Sequence, residues 1–359
     1  MNENMVGALK RWFSAQFRDL PWRNSPSPYA VWVSEVMLQQ TQVSVVIPYF
    51  ERWMRLFPTV EALAASSIEV VLKEWEGLGY YARARNLHQG ARYVVDQYNG
   101  KIPETADSLK QIKGLGEYTV GAILSFAFHQ RAAAVDGNVM RVLSRYYCLS
   151  DDISQGKTQK KLRGIAYDLL PIDEPWVVSE ALIELGATVC TRSPKCRECP
   201  LVAGCLAFAQ GKANQLPVKS AKTVSQALHR LVAVVRHQGH LLVKRGEKGK
   251  VMADLFEFPY FEVVSSEIPV EDQIRSIKKQ LKKEFALDVK WQQGLPQVKH
   301  SFTRYRVSLV PHLFTVNELQ DIQGHDWISI DELKKRPFSA GHRRIFDVLQ
   351  DGLRLASCV

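Results

Sequence analysis

Apolar residues recur at helical spacing through the first part of the chain, as at Val139, Val142, Leu143 and Tyr146. Ser27 followed by Pro28 has the form of an N-cap and first-turn pair, and it opens an apolar run from Tyr29 to Gln42. The same pattern predicts helices near Thr59–Ala64, Ile68–Trp75, Ala82–Tyr98, Ser108–Ile112, Thr119–Phe128, Val139–Tyr147, Lys157–Leu169 and Val177–Gly186. Beyond Cys205, Gln210–Thr223 is rich in Gly, Lys, Asn, Pro and Ser, a linker composition. The pattern then changes. Leu228–Val235 and His240–Lys244 read as a strand pair around the turn at 237–239, and Asp272–Phe285 reads as an amphipathic helix. Arg304–Pro311, His312–Val316 and Trp327–Ile330 read as strands, and Phe338–Gln350 as a closing helix. The expected fold is multidomain: an all-α domain over 1–212, a linker over 213–226 and an α+β domain over 227–359. A length of 359 residues suits two domains at roughly 100–200 residues each.

Composition narrows the class. With 46% apolar and 23% charged residues, the chain is neither disordered, collagenous nor a coiled coil. The longest apolar stretches, such as Val120–Phe128, fall far short of a membrane span. The N-terminus lacks a basic segment followed by an apolar core. A cytoplasmic monomer with no membrane partner is expected. Lys and Arg number 47 against 37 Asp and Glu, a net charge of +10. That excess suggests a polyanionic partner such as nucleic acid, although charge alone also suits an incidentally basic protein.

Four of the six cysteines crowd into sixteen residues: Cys190, Cys196, Cys199 and Cys205, spaced C-x5-C-x2-C-x5-C. In a reducing compartment such a cluster reads as a metal site. Zinc modules usually pair two short C-x2–4-C hairpins, and only one is present here. Four thiolates on a compact loop suit one [4Fe–4S] cluster, with one sulfur per iron corner. Zinc stays open at this point. Arg192, Lys195 and Arg197 on the same loop are placed to face phosphates.

Upstream, Leu109–Ala122 reads as helix, Gly-x-Gly turn and helix. Gly114 and Gly116 are expected to take backbone angles closed to other residues, leaving the next helix's amides free to hold a DNA phosphate. An ordinary tight turn between two helices carries the same pattern. Asp136 precedes a helix, and Glu35 sits within one among Trp32, Val36, Leu38 and Gln39. Each alone reads as a cap or a solvated face. Together they offer what cleavage of a glycosidic bond needs: a buried acid with a raised pKa, and an ionised carboxylate beside an oxocarbenium-like sugar.

These segments resemble the MutY family of adenine DNA glycosylases, within the helix-hairpin-helix glycosylases related to endonuclease III. The matching stretches are Leu20-Pro-Trp-Arg23, Val33–Val43, Gly77–Asn86, the hairpin, Asp136–Val139 and Glu184–Ala187 before the cysteines. The later part resembles the family's Nudix-like domain through Leu255–Pro259 and His300–Arg304. The resemblance implies base excision: removal of adenine mispaired with 8-oxoguanine or guanine in double-stranded DNA. It gives Glu35 the role of proton donor, Asp136 that of stabilising the sugar cation, and Tyr118 a supporting place. Gln40 and Tyr80 would wedge into the base stack as adenine swings out. Arg18, Trp22, Leu38 and Glu180 match adenine-pocket positions, with plain core packing as the other reading of Trp22 and Leu38. Phe302 and Thr303 match the lesion-reading turn.

Tyr118 stands where strand-nicking relatives carry a Schiff-base lysine, so a monofunctional enzyme is expected. A bifunctional glycosylase/lyase and a non-catalytic DNA-binding protein with a zinc loop are the alternatives. The chain departs from the family in its first cysteine gap, five residues where six is usual, in Lys113 where proline is frequent, and in Phe302-Thr-Arg304 where Phe-Ser-His is usual. In the second domain the Nudix helix reads Lys279-Gln-Leu-Lys-Lys-Glu284, and Tyr260 and Phe261 replace the expected glycines. The carboxylates left there do not build a Mg²⁺ site. This domain reads as a binding module.

Overall fold

The computed structural model describes residues 2–24, 26–220, 225–265 and 267–356. Residues 221–224 of the expected linker, and Cys358, lie outside them. The chain forms two compact units. One holds residues up to 65 together with 86–222, and the other holds 66–85 together with the residues from 223 onward.

The helices run α1 (Asn2–Ala15), α2 (Pro21–Asn24), α3 (Pro28–Leu38), α4 (Val43–Leu56), α5 (Val60–Ala65), α6 (Ile68–Glu74), α7 (Ala82–Tyr98), α8 (Ala106–Gln111), α9 (Glu117–Ala122), α10 (Gly137–Tyr146), α11 (Gly156–Leu169), α12 (Pro175–Thr188) and α13 (Leu206–Ala209). Ser27 caps α3 as the sequence suggests, its hydroxyl accepting from the Ala30 amide at 3.1 Å. The apolar run does not stay helical to Gln42. It stops at Leu38, and Gln40 turns left-handed at φ 60° before α4 begins. The expected helix over Thr119–Phe128 divides into α9 and a π-helical turn at Ile123–Ala127, a form that favours functional sites. One hydrophobic cluster of this unit packs α1, α10, α11 and α12 around Leu9, Val139, Leu143, Leu162, Val178 and Leu185. The described linker residues up to Ser220 belong to this unit, whereas Gln226 already opens the first strand of the other. Leu216 is buried, and Val218 O accepts from Ile153 N at 3.0 Å.

The second unit carries a mixed sheet of β1 (Gln226–His237), β2 (His240–Arg245), β3 (Phe256–Glu257), β4 (Tyr260–Val263), β5 (Lys290–Gly294), β6 (Val298–Phe302), β7 (Tyr305–Thr315) and β8 (Asp326–Ser329). Three helices accompany it: α14 (Val270–Phe285), α15 (Ile330–Leu333) and α16 (Ala340–Ala356). β1 and β7 pair in parallel at its centre. The β1 residues Leu231 to Val235 are fully buried and alternate between two cores. Val232 and Val234 join Phe338 and Phe346, whereas Leu231, Ala233 and Val235 join Ile277 and Leu281 of α14. Burial of both faces explains a continuous apolar run in place of alternation. The two strands expected either side of Pro311 are one strand. β6 pairs with Tyr305–Leu309 and β5 with His312–Thr315, so Pro311 falls between the two partners, where its missing N–H costs least. No helix among the described residues is long and apolar enough to cross a membrane.

Candidate active site and cysteine loop

α3 is apolar on every side, and Tyr29 to Met37 are all buried. Glu35 therefore has no solvated face and is 6% exposed. Burial pushes its carboxyl up to about 7, helped by the charges of Asp136 and Glu180 and opposed by a hydrogen bond from Tyr118 and by Arg23. Tyr118, one residue into α9, donates that bond to Glu35 Oε2 at 2.5 Å. Burial, then the Glu35 charge, holds the phenol well above its ordinary value, so it stays a donor.

Asp136 caps α10. Its Oδ1 accepts from the amides of Asn138 and Val139, both at 2.8 Å, and its Oδ2 from Asn138 Nδ2 at 2.7 Å. Burial still outweighs these donors and Arg141, and the carboxyl lies above the ordinary aspartate range. Glu35, Tyr118 and Asp136 line one cavity of about 920 Å³ with Arg18, Trp22, Leu38, Gln40, Glu180, Gly114 and Gly116. Trp22 both lines this cavity and packs edge-on against Phe50. Gly114 has φ 91°, and a Cβ there would lie 2.7 Å from Asn86 Cβ. Gly116 corrects the expectation of special backbone angles. Its φ of −89° is open to any residue, and a Cβ would meet nothing within 4 Å. What glycine provides there is open space over the start of α9.

Several participants escaped the sequence reading. Arg23 bridges Glu180 and Glu184, each at 3.1 Å, and Arg18 pairs with Glu184, its Nη2 3.0 Å from Oε2. Glu184 is 1% exposed and takes both guanidiniums. The four-residue step from Glu180 to Glu184 on one helix was the available signal. A second chain of bonds runs from Asp136 toward the cysteines. Asn138 Oδ1 accepts from Arg141 Nη2 at 2.8 Å, and Arg141 Nε donates to Cys190 O at 2.8 Å.

Cys190, Cys196, Cys199 and Cys205 line one small cavity with Arg145, Tyr146 and Leu185. The buried Arg145 donates to Thr191 O at 2.6 Å and Leu216 O at 2.9 Å, and its Nη1 lies 3.3 Å from Cys190 Sγ. Burial, then the charges of neighbouring cysteines, pushes the Cys199 thiol up to about 11. Four thiols crowded this way ionise only around a cationic group, so the donor set fits a metal-based cofactor.

Tyr80 lies on the second unit, half-exposed, with φ 47°. Phe302 ends β6, and Thr303, at φ 48°, occupies the turn into β7. The sequence-predicted turn is present, and its β-branched residue sits in a conformation that usually costs energy.

Residues 33–166 match the model of the HhH-GPD superfamily of base excision DNA repair proteins, and residues 231–348 match a NUDIX domain. A mouse adenine DNA glycosylase is 32% identical over 96% of this chain and 77% of its own length. The human adenine DNA glycosylase is 46% identical over 58% of the chain, a match that spans 40% of the human protein's length. Among solved structures, a thermostable thymine-DNA glycosylase is 25% identical and covers 58% of this chain and 97% of its own, with a TM-score of 0.53.

Proposed function

The chain belongs to the adenine DNA glycosylase family, and from that premise we propose that it hydrolyses the N-glycosidic bond of adenine opposite 8-oxoguanine or guanine in duplex DNA. The observation that carries this reading is one cavity holding two carboxyls in unlike settings. Glu35 is apolar-buried and titrates near neutrality. Asp136 is fixed by three N–H donors. Glu35 gives its proton to the adenine ring as the C1′–N9 bond breaks and its electron pair leaves with the base. Asp136 offsets the sugar cation, and water adds at C1′, returning a proton to Glu35. Tyr118 holds the Glu35 carboxyl in place and offers no amine for a Schiff base, which favours hydrolysis without strand cleavage.

Single-turnover adenine release should fall as pH rises through about 7, because burial raises the Glu35 pKa and the proton it donates is present only below that value. Release should also fall in acid, as Asp136 takes a proton above the usual aspartate range. A rate that stays unchanged as pH rises through and beyond about 7 would remove Glu35 from the donor role.

For the cysteine loop we assign one [4Fe–4S] cluster, held by Cys190, Cys196, Cys199 and Cys205. All four thiols border one small cavity, and their C-x5-C-x2-C-x5-C spacing is compact. The cluster would anchor the loop bearing Arg192, Lys195 and Arg197 against DNA phosphates. Changing Cys196 or Cys199 to Ser should remove broad absorbance near ~400 nm and weaken DNA binding. One zinc and no iron on metal analysis would overturn the assignment.

Gln40 and Tyr80 serve as the wedges that extrude adenine, and the Phe302-Thr303 turn reads the opposite base. Thr303→Val with Phe302→Ala should lower preference for 8-oxoguanine over guanine by about 1–3 kcal/mol, the scale of one good base contact. Equal losses on both mispairs would place lesion reading elsewhere.

A further inference from the structure

The turn bearing Tyr80 is tightly built. Gly77, Gly79 and Tyr80 all have positive φ, at 106°, 69° and 47°. Trp75 Nε1 donates to Gly79 O at 3.0 Å, and Arg83 Nη2 donates to Leu78 O at 2.9 Å and Gly79 O at 3.2 Å. The Arg83 guanidinium lies 5.2 Å from the Trp75 ring centre and 5.8 Å from that of Tyr80. Tyr80 is left half-exposed at the tip.

What anchors this turn comes from the far end of the sequence. Phe338, fully buried, uses both its backbone groups on it. Its N–H donates to Glu76 Oε1 at 3.0 Å, and its carbonyl accepts from Tyr81 Oη at 3.1 Å. Residues 76 and 81 immediately flank the turn, so one residue closes both sides of it. Arg343 Nε adds a 2.8 Å contact to the same Glu76 oxygen, while its guanidinium lies 4.7 Å from the Phe338 ring centre. Arg245 and Arg336 both pair with Glu69 on α6, the former at 2.9 Å, and Arg85 Nη1 donates to Ala253 O at 2.8 Å. These partners group residues 66–85 with the C-terminal residues in one compact unit.

The geometry points to Phe338, Glu76, Tyr81 and Arg343 as a clamp through which the C-terminal unit sets the position of the Tyr80 wedge. They are positioning residues. The Nudix-like unit thereby contributes to base extrusion opposite either guanine or 8-oxoguanine, in addition to reading the lesion. The extrusion role rests on the glycosylase reading above, whereas the clamp itself does not.

The test compares the wild type with Tyr81→Phe, Arg343→Ala and their combination, using Arg343→Lys as a conservative control. Without DNA, hydrogen exchange of the amides at 77–83 should quicken about tenfold or more in the combined variant, the scale of losing a buried charged hydrogen bond. Arg343→Lys should recover most of that protection, and protection in α10 and α12 should be unchanged. On duplex carrying 2-aminopurine at the target position, the fluorescence rise on extrusion should fall about tenfold in rate, alike for both opposing bases. In a Tyr80→Ala background the same substitutions should cause no further loss, because the clamp acts through that side chain. Unchanged exchange at 77–83, or a loss additive with Tyr80→Ala, would overturn the clamp. Quickened exchange in a protein whose wild type releases no adenine would sink the glycosylase reading and leave the clamp standing.

Discussion

Glu35→Gln should bind a lesion duplex as the wild type does and release adenine at least ~10²–10⁴ times more slowly. The amide matches the carboxyl in size and still accepts the Tyr118 hydrogen bond, so packing in α3 survives. What it lacks is an acidic proton available near neutrality, which burial gives to Glu35 by raising its pKa to about 7. Single-turnover excision with saturating enzyme isolates that step from binding. Near-normal excision by this variant would move the donor role to another group, Glu180 being the next carboxyl in the same cavity.

Asp136→Asn should be impaired by ~10²–10³ in the same assay, the range for losing one preorganised group facing a developing charge. The amide oxygen still accepts from the Asn138 and Val139 amides, so the α10 cap is largely kept. Its NH₂ would confront Asn138 Nδ2, which now donates to Oδ2, and Asn138 would have to turn over. That reversal would disturb the Arg141 bond to Asn138 Oδ1, and with it the path to the Cys190 carbonyl. The loss should appear in excision, and the cluster absorbance should be retained because all four cysteines are unchanged. Bleaching without a change in excision would reverse the order of dependence.

The sequence shows α3 clearly because Ser27 and Pro28 mark its start with local chemistry. It hides α4, since the apolar run crosses the break at Gln40 without a glycine, and Pro48 stands inside the helix. The two strands around Pro311 look separate for a related reason: whether a missing N–H matters depends on which strand lies beside it. The site divides in the same way. Glu35, Asp136 and the cysteines lie in recognisable local patterns. Arg18 and Arg23 meet Glu184 across more than 160 positions, and no local pattern announces such a pairing. The wedge segment is the extreme case. Residues 66–85 read as one more part of the helical half, yet they group with strands and helices from 223 onward, because Glu69, Glu76 and Tyr81 find their partners there. Those partners are set by tertiary packing alone.

The most direct test is single-turnover product analysis of the wild-type protein on duplexes carrying adenine opposite 8-oxoguanine, guanine or thymine, each split into alkali-treated and untreated halves. A monofunctional adenine glycosylase built around Glu35 and Asp136 gives strand breaks only after alkali, fastest opposite 8-oxoguanine, slower opposite guanine and negligible opposite thymine. Breaks without alkali at the same rate as base loss, or no adenine release from any duplex, would contradict it.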